Sequence, residues 1–135
     1  MALIKNTELG EISVSDDILL DVLEEATVSG SLKDLIWLST SRGKIQSTIR
    51  LVSDQDIINS IFITYDEKGG ATLKFCVVVK FGVSIRTVTK ELADEIAART
   101  KELTGIYPRE ITILIAGVRS KNTVRRNLKV TYSYE

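Results

Sequence analysis

The stretch from Thr72 to Val118 constrains this chain most, because it reads in order as strand, tight turn, long helix, glycine stop and strand. From Thr72 to Phe81 the side chains alternate. Leu73, Phe75, Val77, Val79 and Phe81 share one face, with Thr72, Lys74 and Lys80 on the other. That period of two marks a half-buried strand. Gly82 and Val83 turn the chain, and Ser84 is placed to cap a helix whose stripe is Ile85, Val88, Leu92, Ile96 and Leu103. Gly105 is placed to close that helix in the left-handed conformation, with Pro108 just beyond. Ile111, Ile113 and Ile115 then resume strand alternation. About 20 helical residues span roughly 30 Å, and a ten-residue strand spans roughly 33 Å. The helix can therefore return the chain along the first strand and deliver the second parallel to it.

Upstream, Glu11 to Ser15 reads as a short edge strand entering a helix. Ser15 stands at the N-cap, and Asp16 and Asp17 complement the dipole in the first turn. Ile18, Leu19, Val22, Leu23 and Ala26 form that helix's stripe, which Ser29 and Gly30 end. Leu32 to Leu38 fits helix and strand equally. Ile45, Ser47, Ile49 and Leu51 alternate as a strand does, after a polar loop from Ser39 to Lys44. Ile57 to Tyr65 reads as a strand with Ile61, Ile63 and Tyr65 on one face, joined by a hairpin loop, Asp66 to Gly70, to the strand at Thr72. Gly117 to Asn127 reads as a polar, basic link. Residues 127–134 read as an extra C-terminal strand in which Leu128, Val130, Tyr132 and Tyr134 alternate with Lys129, Thr131 and Ser133.

The order β-α-(β)-β-β-α-β-β predicts an α+β fold in two layers. Its sheet is mixed but mostly antiparallel, carries two helices on one face, and includes one right-handed β-α-β crossover. At 135 residues, 44% apolar and 27% charged, the chain is expected to form a single domain over 1–135, with segment 31–56 open in structure.

Chemistry is sparse. The chain has no histidine, which removes Ser-His and Cys-His nucleophile pairs, most zinc sites and the usual general base near neutral pH. Cys76 is the sole cysteine and sits in mid-strand, so no internal disulfide or cysteine metal site forms; it reads as a small core residue rather than a reactive thiol. Arg42-Gly43-Lys44 and Lys68-Gly69-Gly70 hint at phosphate loops. A Walker loop would need glycine where Leu38 stands and Ser or Thr where Ile45 stands, so loop glycines account for both. The expectation is no catalytic residue, no cofactor and no metal. No run approaches a membrane span, and the first residues lack a signal-peptide core, so a cytoplasmic protein without direct membrane insertion is expected.

The outward signal is charge. The chain is neutral, yet in its first thirty residues Glu8, Glu11, Asp16, Asp17, Asp21, Glu24 and Glu25 face only Lys5. Arg119, Lys121, Arg125, Arg126 and Lys129 have no acid among them. A charge run is usually a solvated face. The sharper reading makes Asp16, Asp17, Asp21, Glu24, Glu25 and the five cations partner-binding residues, for another copy, an acidic protein, an anionic surface or nucleic acid. Trp37 reads as core packing or an interaction anchor, and Tyr132 and Tyr134 as an inward aromatic face or a stacking platform.

Two blocks carry a family resemblance. One is Gly10 to Leu20. The other is Val77 to Val88, continued through Glu102 to Gly105 and Ile111 to Val118. Their sequence of opening strand and helix, apolar strand, aromatic-Gly-Val turn, amphipathic helix ending Thr-Gly, and strand ending Gly-Val resembles the alkaline shock protein (YloU-like, Gls-type general stress protein) family of Gram-positive bacteria. The resemblance implies a non-enzymatic, cytoplasmic structural or interaction protein linked to cell-envelope or alkaline stress. It implies self-assembly as a homo-oligomer and docking to a membrane-anchored partner, and it brings no catalytic residues. The alternative is a small nucleic-acid-binding α/β module using the basic strip 119–129. Against it stand the lack of a Gly-x-x-Gly loop between helices, the lack of a run of exposed aromatics, and overall neutrality. A ligand-binding regulatory domain is neither supported nor excluded.

Overall fold

The computed structural model describes residues 2–7, 10–28, 30–43, 45, 55–65 and 70–134. The chain opens with β1 (Ala2–Thr7) and β2 (Gly10–Ser15), which pair antiparallel as a two-stranded sheet of their own. α1 (Asp16–Val28) follows directly from β2. A 3-10 turn at Gly30–Leu32 then leads to β3 (Ile36–Ser39). α2 (Gln55–Ile58) is one turn long and precedes β4 (Phe62–Tyr65), β5 (Ala71–Lys80), α3 (Ile85–Thr104), β6 (Glu110–Arg119) and β7 (Thr123–Ser133).

The main sheet has five strands and is mixed, so the fold is α+β. β5 is its spine. β3 pairs with the C-terminal half of β5 and β4 with the N-terminal half, both antiparallel, while β6 runs parallel along the other side and β7 closes that side antiparallel. Leu73, Phe75, Val77 and Val79 of β5, Ile111, Ile113 and Ile115 of β6, and Ile36 and Leu38 of β3 turn their side chains to one face. Against it pack Val22, Leu23 and Ala26 of α1 and Val88, Leu92, Ala93, Ile96 and Ala97 of α3. Both long helices therefore lie on one face of the sheet.

α3 is built as its sequence dictates at the ends. The Ser84 hydroxyl accepts from the Thr87 N–H at 3.3 Å, and Gly105 adopts φ 79° with its N–H on the Lys101 carbonyl at 2.7 Å. Its buried stripe differs in the last turn. Stepping by four residues advances about 40° around a helix, so Leu92 and Ile96 are followed by buried Thr100 and Thr104, and Leu103 is left 63% exposed on the flank. Ile18 sits on the corresponding rim of α1 and is 38% exposed.

Other expectations need correction. Phe81 does not continue the β5 face: the strand ends at Lys80, the Phe81 N–H caps the Arg119 carbonyl at 2.8 Å, and its ring is exposed. Ile57 to Tyr65 is not one strand. Ile57 is buried in α2, Ser60 folds back with its N–H on the Ile57 carbonyl, and only Phe62–Tyr65 is extended. Glu11 to Ser15 lies in the separate hairpin rather than at an edge of the main sheet. Gly117 to Asn127 is no link, because β6 runs to Arg119 and β7 starts at Thr123. Ile45 bridges Ser39, while the rest of the strand expected through Leu51 lies outside the described residues.

Candidate functional site

The chain sorts charge by layer, and an irregularity in β6 helps it do so. Ile115 is paired with Val77, but the next partner of β5 is Gly117 opposite Val78, so Ala116 is an extra residue. The bulge reverses the alternation. Val118 then joins the core, while Gly117 and Arg119 fall on the helix-free face. Strict alternation from Ile111 would have driven Arg119 into the helices. On β7, Arg125 lies opposite Gly117 and Lys129 opposite Leu114, on that same helix-free face. With Lys74 and Lys80 of β5, the face carries five cations, and Glu110 is its one acid among the described strand residues.

Lys74, Lys80, Arg125 and Lys129 are exposed. Arg119 is half-buried because its guanidinium lies over the Trp37 ring, 5.6 Å from the centroid. Trp37 pairs with Val78, so the stack reaches across β5, and Val78 is fully buried. Trp37 is thus neither core nor a bare anchor. Lys121 is exposed in the β6–β7 turn, and Arg126 is exposed on β7 with its alternation on the helix side, between the exposed Val124 and Leu128. No described ion pair involves these cations.

The acids lie in the other layer. Asp21 and Glu25 of α1 are exposed and Glu24 is half-buried. Glu25 binds Arg99 of α3 at 3.0 Å, and Arg99 also holds Glu95 at 2.7 Å. Asp16 and Asp17 open α1, where only the backbone is described. α1 packs beside α3 and β3, and the strand order β3-β5-β6-β7 puts β7 roughly 14 Å away across the sheet, at ~4.8 Å per strand. That exceeds the ~8 Å screening length at physiological ionic strength. The structure brings the five cations of the sheet together, but does not join them to the acids of α1.

Tyr132 and Tyr134 face the helices. The Tyr132 hydroxyl meets Thr89 Oγ1 at 2.9 Å, and the Tyr134 hydroxyl donates to Asp94 Oδ1 at 2.8 Å. Lys90 pairs with Asp94 at 2.7 Å and lies 5.5 and 5.8 Å from the two ring centroids. Partial burial would push the Asp94 carboxyl up, but donation from Lys90 and Tyr134 outweighs it and holds the group below the usual carboxylate range. Burial, then the Asp94 carboxylate, pushes the Tyr134 phenol well above its ordinary value. Burial likewise raises the Cys76 thiol, against the pull of Lys74, so it is held as thiol. No metal-holding cluster of His, Cys, Asp or Glu occurs among the described residues. No described helix is long and apolar enough to cross a membrane.

Sequence reasoning gave the strip as Arg119 to Lys129 but did not join Lys74 and Lys80 to it. Their alternation opposite Leu73 and Phe75 was the available signal, together with the Ala116-Gly117 break that a strand interior glycine announces. In comparisons with known proteins, the model of the alkaline shock protein family, described as having a cell envelope-related function, matches residues 4–120. No curated protein and no solved structure matches the chain.

Proposed function

Because the chain belongs to the alkaline shock protein family, whose described function is related to the cell envelope, we propose that it acts there without catalysis, as an interaction protein that self-associates and docks on a membrane-anchored partner. The observation that carries this reading is the division of charge between layers. Acids on α1 and cations on the far strands are too distant to neutralise one another within one copy, so each patch can meet its complement on a neighbour. Contact between unlike patches is heterologous, and repeated contact of that kind closes into rings or grows into filaments.

Exposed ion pairs contribute only about 0.2–1 kcal/mol each, so charge steers the contact and apolar surface must hold it. Both ends have some: Ile18 one turn from Asp21 on α1, and Val124 and Leu128 either side of Arg126 on the helix side of β7. Trp37 and the terminal tyrosines are engaged within the fold and are not that surface. The non-catalytic reading draws support from the missing histidine and from a Cys76 thiol whose ionisation burial opposes. The links to stress and to a membrane-proximal cytoplasmic position come from the family resemblance.

Light scattering across a salt series tests the proposal. The parent is expected to form large species at low salt that shrink as salt rises, and an Arg125→Glu, Arg126→Glu variant to stay small throughout. Identical size distributions for both proteins at every salt concentration would reduce the strip to a solvated face.

A further inference from the structure

We propose that the helix-free face of the sheet is itself a docking surface for an anionic lipid bilayer. Lys74, Lys80, Arg119, Arg125 and Lys129 share that face by register, with Glu110 as the one acid on its described strands. The field is broad: Lys74 and Lys80 lie about 20 Å apart along β5, and β5 and β7 about 10 Å apart across the sheet. Such a spread suits a flat array of headgroup phosphates. One exposed aromatic shares it by register, and a second follows where β5 ends. Phe62 is 56% exposed, opposite Lys74, and Phe81 is 70% exposed, next to Lys80. Cations with neighbouring apolar rings match the headgroup and acyl boundary, where the charge stays among phosphates and the ring enters the chain region.

Nucleic acid fits the same face less well. Its stacking needs a series of free ring faces along the strand it binds, but Trp37 lies under Arg119, Tyr132 and Tyr134 lie under Lys90 on the opposite side of the sheet, and Phe62 stands alone on this face of the edge strand β4. The family's cell envelope-related role agrees with a lipid partner. Docking here places α1 and its acids away from the bilayer. It does not depend on self-association, since Lys74 and Lys80 lie on β5 and outside the β7 strip.

The full chain is mixed with vesicles of equal parts phosphatidylglycerol and phosphatidylcholine, or of phosphatidylcholine alone, in a salt series. Binding is read by co-sedimentation and by the emission of Trp37, the sole tryptophan. Binding is expected only with phosphatidylglycerol and should weaken with salt. A Lys74→Gln, Lys80→Gln variant should bind about thirtyfold more weakly, from the loss of two cations at an anionic surface, while its light scattering stays that of the parent. Phe62→Ser with Phe81→Ser should weaken vesicle binding and keep its salt dependence. Three results overturn the proposal: equal binding to phosphatidylcholine alone, parent-like vesicle binding by the lysine variant, or tighter binding to a single-stranded oligonucleotide than to anionic vesicles at the same ionic strength.

Discussion

Thr100 sits fully buried in α3, and its Oγ1 has no hydrogen-bond partner among the described residues. Its neighbours on the stripe solve the same problem locally: Thr89 and Thr104 each donate to the carbonyl four residues back. Valine has nearly the shape of threonine without the polar atom, so Thr100→Val is expected to raise stability by about 1 kcal/mol. A denaturation midpoint that falls, at unchanged slope, would refute this. Tyr134 is the opposite case. Its hydroxyl donates to a half-exposed Asp94, so Tyr134→Phe should cost about 1 kcal/mol at neutral pH. Asp94 titrates below its unfolded value of ~3.9; the contribution is therefore present above that value and lost as pH falls through the folded one. The raised phenol adds the alkaline side, where the bond persists up to at least ~10, the ordinary tyrosine value. Parallel unfolding curves for parent and variant across pH would show the sign, and a difference that grows in acid would contradict it. Single residues were most legible where the cause was local, as with Ser84 and Gly105 at the helix ends. Leu103 was not, because its exposure depends on how far the stripe drifts over the sheet.

Elements follow the same division. β5, α3 and β6 were legible because alternation and the 3.6 period persist over whole segments. Where a segment changes period midway, the pattern misleads. Ile57 to Tyr65 keeps an apolar rhythm across a helical turn and a strand, and Gly117 to Asn127 looks like a loop because its polar side chains face solvent from paired strands. The Ala116 bulge is the instructive instance: one inserted residue sends Val118 to the core and Arg119 to the opposite face. The α3 stripe gives a direct comparison. Leu92 is 0% exposed and Leu103 is 63% exposed. Leu92→Ala should cost about 2–5 kcal/mol through its cavity, whereas Leu103→Ala should stay within about 0.5 kcal/mol. Similar losses from both would mean that the last turn of α3 packs as the sequence periodicity suggested.

At the scale of the molecule, a neutral composition hides a polarised body. The sequence displayed acids early and cations late, but strand order and the bulge decide that they end in different layers, and this no linear pattern reveals. The charged surface belongs to the fold rather than to any one segment. The proposed association draws on that surface, one sign of charge for a neighbour and the other for a second neighbour. The central claim is that these unlike patches recognise each other between copies, and charge exchange tests it most directly. One variant carries Arg125→Glu and Arg126→Glu, and the other Asp21→Lys and Glu24→Lys. Each alone nearly cancels the charge of one patch and puts repulsion at the two substituted positions, so it should remain small by light scattering at low salt while melting as the parent does. Mixed in equal amounts they are complementary at both contacts, and the account predicts recovery of large, salt-sensitive assemblies. If both variants fold and the mixture scatters no more than its separate components, the patches do not meet and the account of association is wrong.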